Sequence, residues 1–452
     1  MSDPFHSARQ MYRDGRYRDA ALAAFAGMNE EPGNARGVRL AAMSMMQSGL
    51  WEAAKPVLRR AMDLEPVAAV LNDMGRCEQN TGRHAPALRC FRQAAVMEPD
   101  DVAATCNAAL IHLNEGDFET AERWSRRAAA IKPSEPAVWD NLALSRLAQG
   151  DHANGWKLYE RSIGIERREE RIYGAEMRWR GPEIDRATRG MGGIPTRSLM
   201  VYGEQGIGDE IMHSACVPDV LSDGPEHVTI ETQPGLEGLF RRSFPSARVI
   251  GTRFGKVAVR GLDARVSMAV LGQWYRKTQA EYDRPAHLVA DPERRAMVRG
   301  LLDTLPGKKV GIAWSGGIPA TRRGTRSTTP EAIYNQLSDL PVTMVSLEYR
   351  EPDVSMFPNL RHFPWLVNTP DYDDTAALVA ELDCVVAVTT AAAHMAGGLG
   401  VPVFILAPDP PSWKYSTQTN PDGRFYWWRS ARLIRPVGGR WDLGPVRSFL
   451  AR

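Results

Sequence analysis

Glycine recurs at Gly15, Gly49, Gly82, Gly116 and Gly150, spaced 34, 33, 34 and 34 residues apart, and no other property of the chain narrows its fold so far. Five positions after each glycine stand Ala20, Ala54, Ala87, Ala121 and Gly155. Seven positions before each stand Ala8, Ala42, Gly75, Ala109 and Ala143. A proline preceded by a charged residue follows the same register at Pro32, Pro66, Pro99 and Pro133. The pattern describes two antiparallel helices per unit. Small residues let the paired backbones approach, glycine relieves the turn between them, and proline ends the second helix. A lone helical hairpin of this length cannot bury its apolar face, so the units must stack into a superhelix.

This register resembles the tetratricopeptide repeat over residues 3–165, about four and a half units. Repeats of this kind generally bind peptides or proteins along the concave groove, and they also serve to dimerise proteins; a protein acceptor or a second copy of the chain are therefore the expected partners. Asn107 and Asn141 occupy equivalent places and Asn72 lies one residue off their register. They fit either a grip on a peptide backbone or ordinary hydrogen bonding between helices.

Composition bounds the alternatives. At 452 residues the chain exceeds one core, and its formal charge of +2 offers no electrostatic footprint for nucleic acid. The arginine pairs Arg167-Arg168 and Arg322-Arg323 read as solvated surface. The N-terminus lacks a basic segment followed by an apolar one, so no secretory signal is expected. The longest apolar stretch, Cys384 to Pro408, is broken by His394, by glycines and prolines and by Thr389-Thr390, which argues against a membrane span. Five cysteines without a CxxC pair point to reduced thiols in the cytoplasm and away from a zinc site.

From Gly155 the repeat decays into Trp156-Lys-Leu-Tyr-Glu-Arg, then a charged stretch from Glu166 to Arg171 expected to be helical, Trp179-Arg-Gly-Pro-Glu and a glycine-rich loop at Gly190-Met-Gly-Gly. Beyond residue 195 short apolar runs alternate with helical patterns. Ser198–Tyr202, Val228–Glu231, Arg248–Ile250, Val310–Ala313, Thr343–Leu347, Val385–Val388 and Val403–Leu406 read as strands of doubly wound parallel sheets. A proline-containing linker from Asp283 to Leu305 divides them into two halves. Two loops carry candidate chemistry. The first is Gly203-Glu-Gln-Gly-Ile-Gly-Asp209-Glu, where Gly203, Gly206 and Gly208 permit close backbone approach to a ligand ahead of a helix N-terminus. Its glycine spacing is not that of nicotinamide-dependent oxidoreductases. The second runs from Thr389 through His394 to Val403. Thr390 is placed as an N-cap, with His394 one turn on, so that amides, a hydroxyl and an imidazole would converge on one anion.

Those loops, together with Val310-Gly-Ile-Ala-Trp-Ser-Gly317 and the Trp179, Asp374 and Trp428 segments, resemble heptosyltransferase-like glycosyltransferases, specifically forms fused to tetratricopeptide repeats. The resemblance implies a multidomain chain: an all-α superhelix (3–165), a capping segment (166–195), then the α/β GT-B arrangement of two Rossmann-like domains, acceptor side (196–285) and donor side (300–452). It implies a nucleotide-sugar donor as substrate, no resident cofactor and no metal. Asp209 would be the general base in an inverting transfer, beside the loop residues Gly203, Gln205, Gly206 and Gly208. Donor contacts would come from Ser315, Gly316, Arg326, Glu348, Thr389, Thr390, His394 and Lys414. The family usually has an aspartate where this chain has Thr389, which alters the donor expected or removes activity. The leading reading is transfer of a sugar to Ser or Thr of a protein recruited by the repeats, flagellin or another surface protein being the kind of acceptor such fusions suggest. Transfer to a saccharide or lipid-linked glycan and a catalytically silent binding scaffold stand as alternatives. The cluster Phe425-Tyr-Trp-Trp428 reads as an apolar clamp between domains, with stacking on a base or sugar as its alternative.

Overall fold

A computed structural model of the chain describes residues 3–165, 168–174, 176–191, 193–252, 259–317, 323–416 and 423–452. Ten helices occupy the repeat region in five consecutive pairs: α1 (His6–Arg13) and α2 (Tyr17–Glu30), α3 (Ala35–Gln47) and α4 (Trp51–Leu64), α5 (Ala68–Asn80) and α6 (His84–Met97), α7 (Val102–Asn114) and α8 (Phe118–Ile131), α9 (Pro136–Ala148) and α10 (His152–Arg161). The glycine between the helices of every pair has positive φ, from 75° at Gly15 to 84° at Gly150, which a side chain would oppose. Ala8, Ala20, Ala42, Ala54, Ala87, Ala109, Ala121 and Ala143 are fully buried. Gly75 shows what the small positions are for: a Cβ there would stand 2.5 Å from the buried ring of Phe91. The array thus has the helical-hairpin form expected of tetratricopeptide repeats.

The chain forms two units, one ending at Ser145 and one beginning at Arg146, so the division falls inside α9 and α10 belongs to the second unit. Within the first, successive repeats are tied by the asparagines. Asn107 Nδ2 donates to Asn72 Oδ1 at 2.8 Å, and Asn141 Nδ2 to the Cys106 carbonyl at 3.0 Å. These side chains therefore make bonds between helices.

The second unit holds two all-parallel sheets. One is ordered β1-β5-β2-β3-β4, with β1 Met177–Arg178, β2 Ser198–Tyr202, β3 His227–Thr232, β4 Arg248–Gly251 and β5 Ala264–Ser267. The other is ordered β11-β10-β9-β6-β7-β8, with β6 Lys308–Ala313, β7 Val342–Ser346, β8 Leu360–His362, β9 Cys384–Val388, β10 Val403–Leu406 and β11 Ala431–Ile434. The second order is that of doubly wound nucleotide-binding sheets, and it reverses direction at β6. Its core joins Val310, Ile312, Met344, Val386 and Val388 to Ile434 and Leu450. In the first sheet the reversal falls at β2. A ligand crevice is expected beyond the carboxyl ends of strands at such reversals, and both glycine-bearing loops start there.

Three local expectations are corrected. The supposed linker 283–305 contains a helix, Pro292–Leu302, because Asp291 caps it through the Glu293 and Arg294 amides and Pro292 fits its first turn. The charged stretch expected to be helical is irregular over 168–171, and Arg168 is fully buried against Glu204, since a guanidinium with a carboxylate partner need not face water. Glu166, Arg167, Gly192 and Arg322 lie outside the described residues. The short strands β1, β5, β8 and β11 escape a reading of apolar runs.

Two glycine substitutions should act in opposite directions. Gly75→Ala forces the packed Phe91 ring to move and should lower the melting temperature, by about 1–3 kcal/mol of stability. Gly300→Ala, inside the helix Pro292–Leu302 with open space around its Cβ, should raise it by up to about 1 kcal/mol. Thermal melts of the two variants check the signs; stabilisation by Gly75→Ala would contradict this packing.

Candidate functional site

β2 ends at Tyr202 and the chain turns through Gly203 into a short helix, Ile207–His213. Gly203 is required because the Glu210 carboxyl folds back beneath it, 2.4 Å from where a Cβ would be. That carboxyl is buried and accepts from Thr232 Oγ1 at 2.6 Å and from the Gln233 amide at 3.0 Å, which fixes the loop to the end of β3. Gly206 takes the N-cap position of the helix. Gly208 packs on the start of another helix, Ala391–Leu399: a Cβ on Gly208 would lie 3.2 Å from Ala391 Cα. The glycine loop of the first sheet therefore meets the second candidate loop directly.

On the second sheet, the loop after β6 is held by Glu348, whose Oε1 accepts from the Trp314 and Ser315 amides at 2.8 and 2.7 Å. Glu348 is buried and holds this loop in place. Gly316 lies against the Arg326 and Thr389 carbonyls, and its amide donates to Ser327 Oγ at 3.1 Å. Arg326 Nε donates to Thr389 Oγ1 at 2.9 Å and its Nη2 to the Thr389 carbonyl at 2.5 Å. At the position where an aspartate was expected, Thr389 is thus a buried partner of arginine. Thr390 is the N-cap of the helix Ala391–Leu399 by backbone conformation, but its side chain makes no cap hydrogen bond.

His394 differs from the sequence reading. It is buried; Nε2 pairs with the Tyr415 hydroxyl at 2.9 Å, and Nδ1 accepts from Trp428 Nε1 at 3.3 Å. Burial first, then the positive charge of Lys414, push its pKa down to about 3, so it is neutral and both ring nitrogens are engaged. It organises an aromatic core with Tyr415, Phe425 and Trp428 rather than presenting a cation to an anion. Phe425, Trp427 and Trp428 are correspondingly buried.

Lys414 supplies the charge instead. It lies after β10 in the segment Trp413–Ser416, and its Nζ forms an ion pair with Asp209 Oδ1. Burial acts to raise the Asp209 pKa, but the Lys414 charge and hydrogen bond outweigh it and hold the carboxyl down at about 2. The helix N-terminus beneath Asp209 acts in the same direction. His213, one turn later, is buried and neutral, with Nε2 lacking a hydrogen-bond partner among the described residues. The structure therefore gathers Asp209, Lys414, His213 and His394 where the two loops meet, with Arg326 and Thr389 on the second-sheet side. Such a site sets an ionised carboxylate beside an ammonium, next to a helix N-terminus that favours an anion.

Sequence reading missed Trp156, Tyr159, Arg168 and His213. Tyr159 OH accepts from Gln205 Nε2 at 2.8 Å, and Arg168 Nε donates to Glu204 Oε1 at 2.7 Å, so the two polar residues of the glycine loop are held from outside it. A signal was present: Trp156 and Tyr159 stand three apart on the last helix of the repeat register, whose outer face would be polar if it ended the array in water.

No family model matches the chain. It is 27% identical over 454 residues to Protein FlbA of Caulobacter vibrioides, an alignment covering 93% of this chain and 73% of that protein. Among solved structures it is similar to YrrB, described as a TPR protein with an unusual peptide-binding site (13% identity, 35% of this chain and 82% of that one, TM-score 0.29). It is also similar to PilW, a type IV pilus biogenesis factor (20% identity, 36% and 77%, TM-score 0.33).

The buried imidazoles make stability pH-dependent. His394 and His287 are held at about 3 and His152 at about 4, below the ordinary 6.5, each chiefly by burial. The unfolded chain takes up these protons first, so stability should fall as pH drops below about 6.5. The Asp209 contribution, present above the ordinary carboxyl range, is lost only lower down, as pH falls towards 2. Melting temperatures between pH 7 and 4.5 check this: His394→Gln should flatten the slope by about one proton, or ~1.4 kcal/mol per pH unit. An unchanged slope would show that His394 is not a buried neutral group.

Proposed function

We propose that the chain is an inverting glycosyltransferase that takes a sugar from a nucleotide-sugar donor and places it on a Ser or Thr hydroxyl of a protein brought by the repeat array. The observation carrying this reading is the meeting of Asp209 with Lys414, at the point where loops from the carboxyl ends of two parallel sheets face each other. In the reaction Asp209 accepts the acceptor's hydroxyl proton. The oxygen attacks the anomeric carbon, and the bond to the donor's diphosphate oxygen breaks with its electron pair leaving on the diphosphate. Lys414, Arg326 and the N-terminus of the helix Ala391–Leu399 would stabilise that negative charge without a metal. The doubly wound order of the second sheet supports a nucleotide at its β6 reversal, near Ser315 and Gly316. The helical repeats support a polypeptide acceptor.

The engagement of both His394 nitrogens favours a second reading, in which the second unit binds without catalysis and the repeats are the working part.

A thermal-shift screen against UDP, ADP, GDP, TDP and CMP, with and without their sugars, separates the two. A ligand that binds only the folded state raises the melting temperature by mass action. Transfer predicts a selective rise with one base, and incorporation of label from that sugar nucleotide into protein, reduced at least about 100-fold by Asp209→Asn. No rise with any of them, or incorporation unaffected by Asp209→Asn, overturns the assignment of Asp209 as base.

A further inference from the structure

We propose that α10 is a positioning element of the candidate transfer site, with Tyr159 and Trp156 setting where the Gly203–Gly208 loop and Lys414 stand. The inference rests on the transfer reading for its kinetic consequences, while its geometry stands apart from that reading.

α10 closes the repeat register in sequence, yet its aromatic face serves the second unit. Tyr159 reaches the glycine loop in two ways. Its hydroxyl accepts from Gln205, and its ring lies 3.5 Å beneath the Arg168 guanidinium, which is itself bonded to Glu204. Arg168 also donates to the Tyr159 carbonyl and, at 2.5 Å, to Ser162 Oγ. A wholly buried arginine needs protein partners in place of water, and Arg168 finds them in Glu204, the Tyr159 carbonyl and Ser162, which ties Glu204 to the end of α10. Glu204 and Gln205 are thus fixed from α10, five and four residues ahead of Asp209, in the loop that leads into its helix.

The other partner of the ion pair is held from the same helix. Trp413, next to Lys414 in the chain, packs on Trp156 with ring centroids 5.8 Å apart and on Tyr159 at 6.1 Å. Two residues on, Ser416 Oγ donates to the Ala148 carbonyl at 2.8 Å, at the end of α9. Arg435 donates to the Tyr415 carbonyl at 2.6 Å and also to that of Ser416. Trp156 cannot shift to accommodate a change, because its ring fills the space over Gly272, where a Cβ would be 2.5 Å away. It also packs edge-on against His213 at 5.9 Å. Aromatic residues that only filled a core would touch apolar neighbours. These two touch the segments that carry Asp209 on one side and Lys414 on the other. The charged and titratable groups facing Asp209 include Lys414, His213, His394 and Tyr415. Trp156 packs against His213 itself, and with Tyr159 against the segment bearing Lys414; His394 is set by Tyr415 of that segment.

Tyr159→Phe and Trp156→Phe in the full chain test this, with the Asp209 carboxyl followed by carbon-13 aspartate NMR and assigned by its loss in Asp209→Asn. Tyr159→Phe keeps the ring under Arg168 and removes the hydroxyl that accepts from Gln205. It should lower kcat about tenfold, the effect of one lost hydrogen bond, with the donor KM changed less than about twofold. Trp156→Phe loosens the support of Trp413, so the carboxyl titration and the acid limb of the kcat profile should both move up towards an ordinary aspartate as Lys414 recedes. A lowered melting temperature with kcat and carboxyl titration unchanged in both variants overturns the proposal and makes α10 ordinary core. If the wild-type chain transfers no sugar, the transfer reading fails, and the titration alone decides the positioning: a shift in Trp156→Phe upholds it and an unmoved carboxyl refutes it.

Discussion

Trp156 stands where segments far apart in the chain converge. Its indole meets Tyr159, His213, Trp413 and Trp427 edge-on and fills the space over Gly272. Burying roughly 200 Å² of aromatic surface at about 25 cal/mol per Å² gives ~5 kcal/mol, comparable to the whole net stability of many domains. The indole N–H donates to Tyr282 at 3.1 Å, and that hydroxyl in turn meets His152 Nδ1 at 3.0 Å. His152 is neutral at ordinary pH because burial depresses it, which leaves the nitrogen able to accept. Around this ring the helix closing the repeats, the first-sheet loop and the segment after β10 acquire fixed positions, and the pairing of Asp209 with Lys414 depends on all three.

Legibility of the fold followed the size of the physical signal. The repeats were readable because a glycine at positive φ and an alanine at a helix crossing are each required on their own, and together they recur five times. β2 and β10 were readable at their ends because both are continuous apolar runs of buried parallel strands. β5 and β11 were not, because Arg265 and Arg432 interrupt them. Arg265 is nevertheless buried, its charge satisfied by Glu170 at 2.8 Å, a partner ninety-five positions away that no local pattern announces.

The site was legible in its loops and illegible in its pairings. Glycine spacing after β2 located Asp209, and the Thr390–His394 stretch located the facing helix. Which cation would meet Asp209 depended on how the segment after β10 folds back, and the sequence placed both His394 and Lys414 on the donor. The imidazole's environment removes it as a cation: between Tyr415 and Trp428 it is buried, and burial disfavours its charged form. Glu348 is a similar case, a carboxylate whose hydrogen bonds to two backbone amides make it a support for the Ser315 loop.

The aromatic face of α10 also has a consequence for synthesis. Trp156 leaves the ribosome about 260 residues before Trp413, which at roughly 5–20 residues per second is an interval of some 13–50 seconds. During that time the first four helical pairs can stack, since their contacts are local in sequence. The indole, by contrast, awaits partners not yet made. A nascent chain of this protein therefore carries an exposed apolar face behind an already folded array, and a chaperone that shields aromatic surface would find it there.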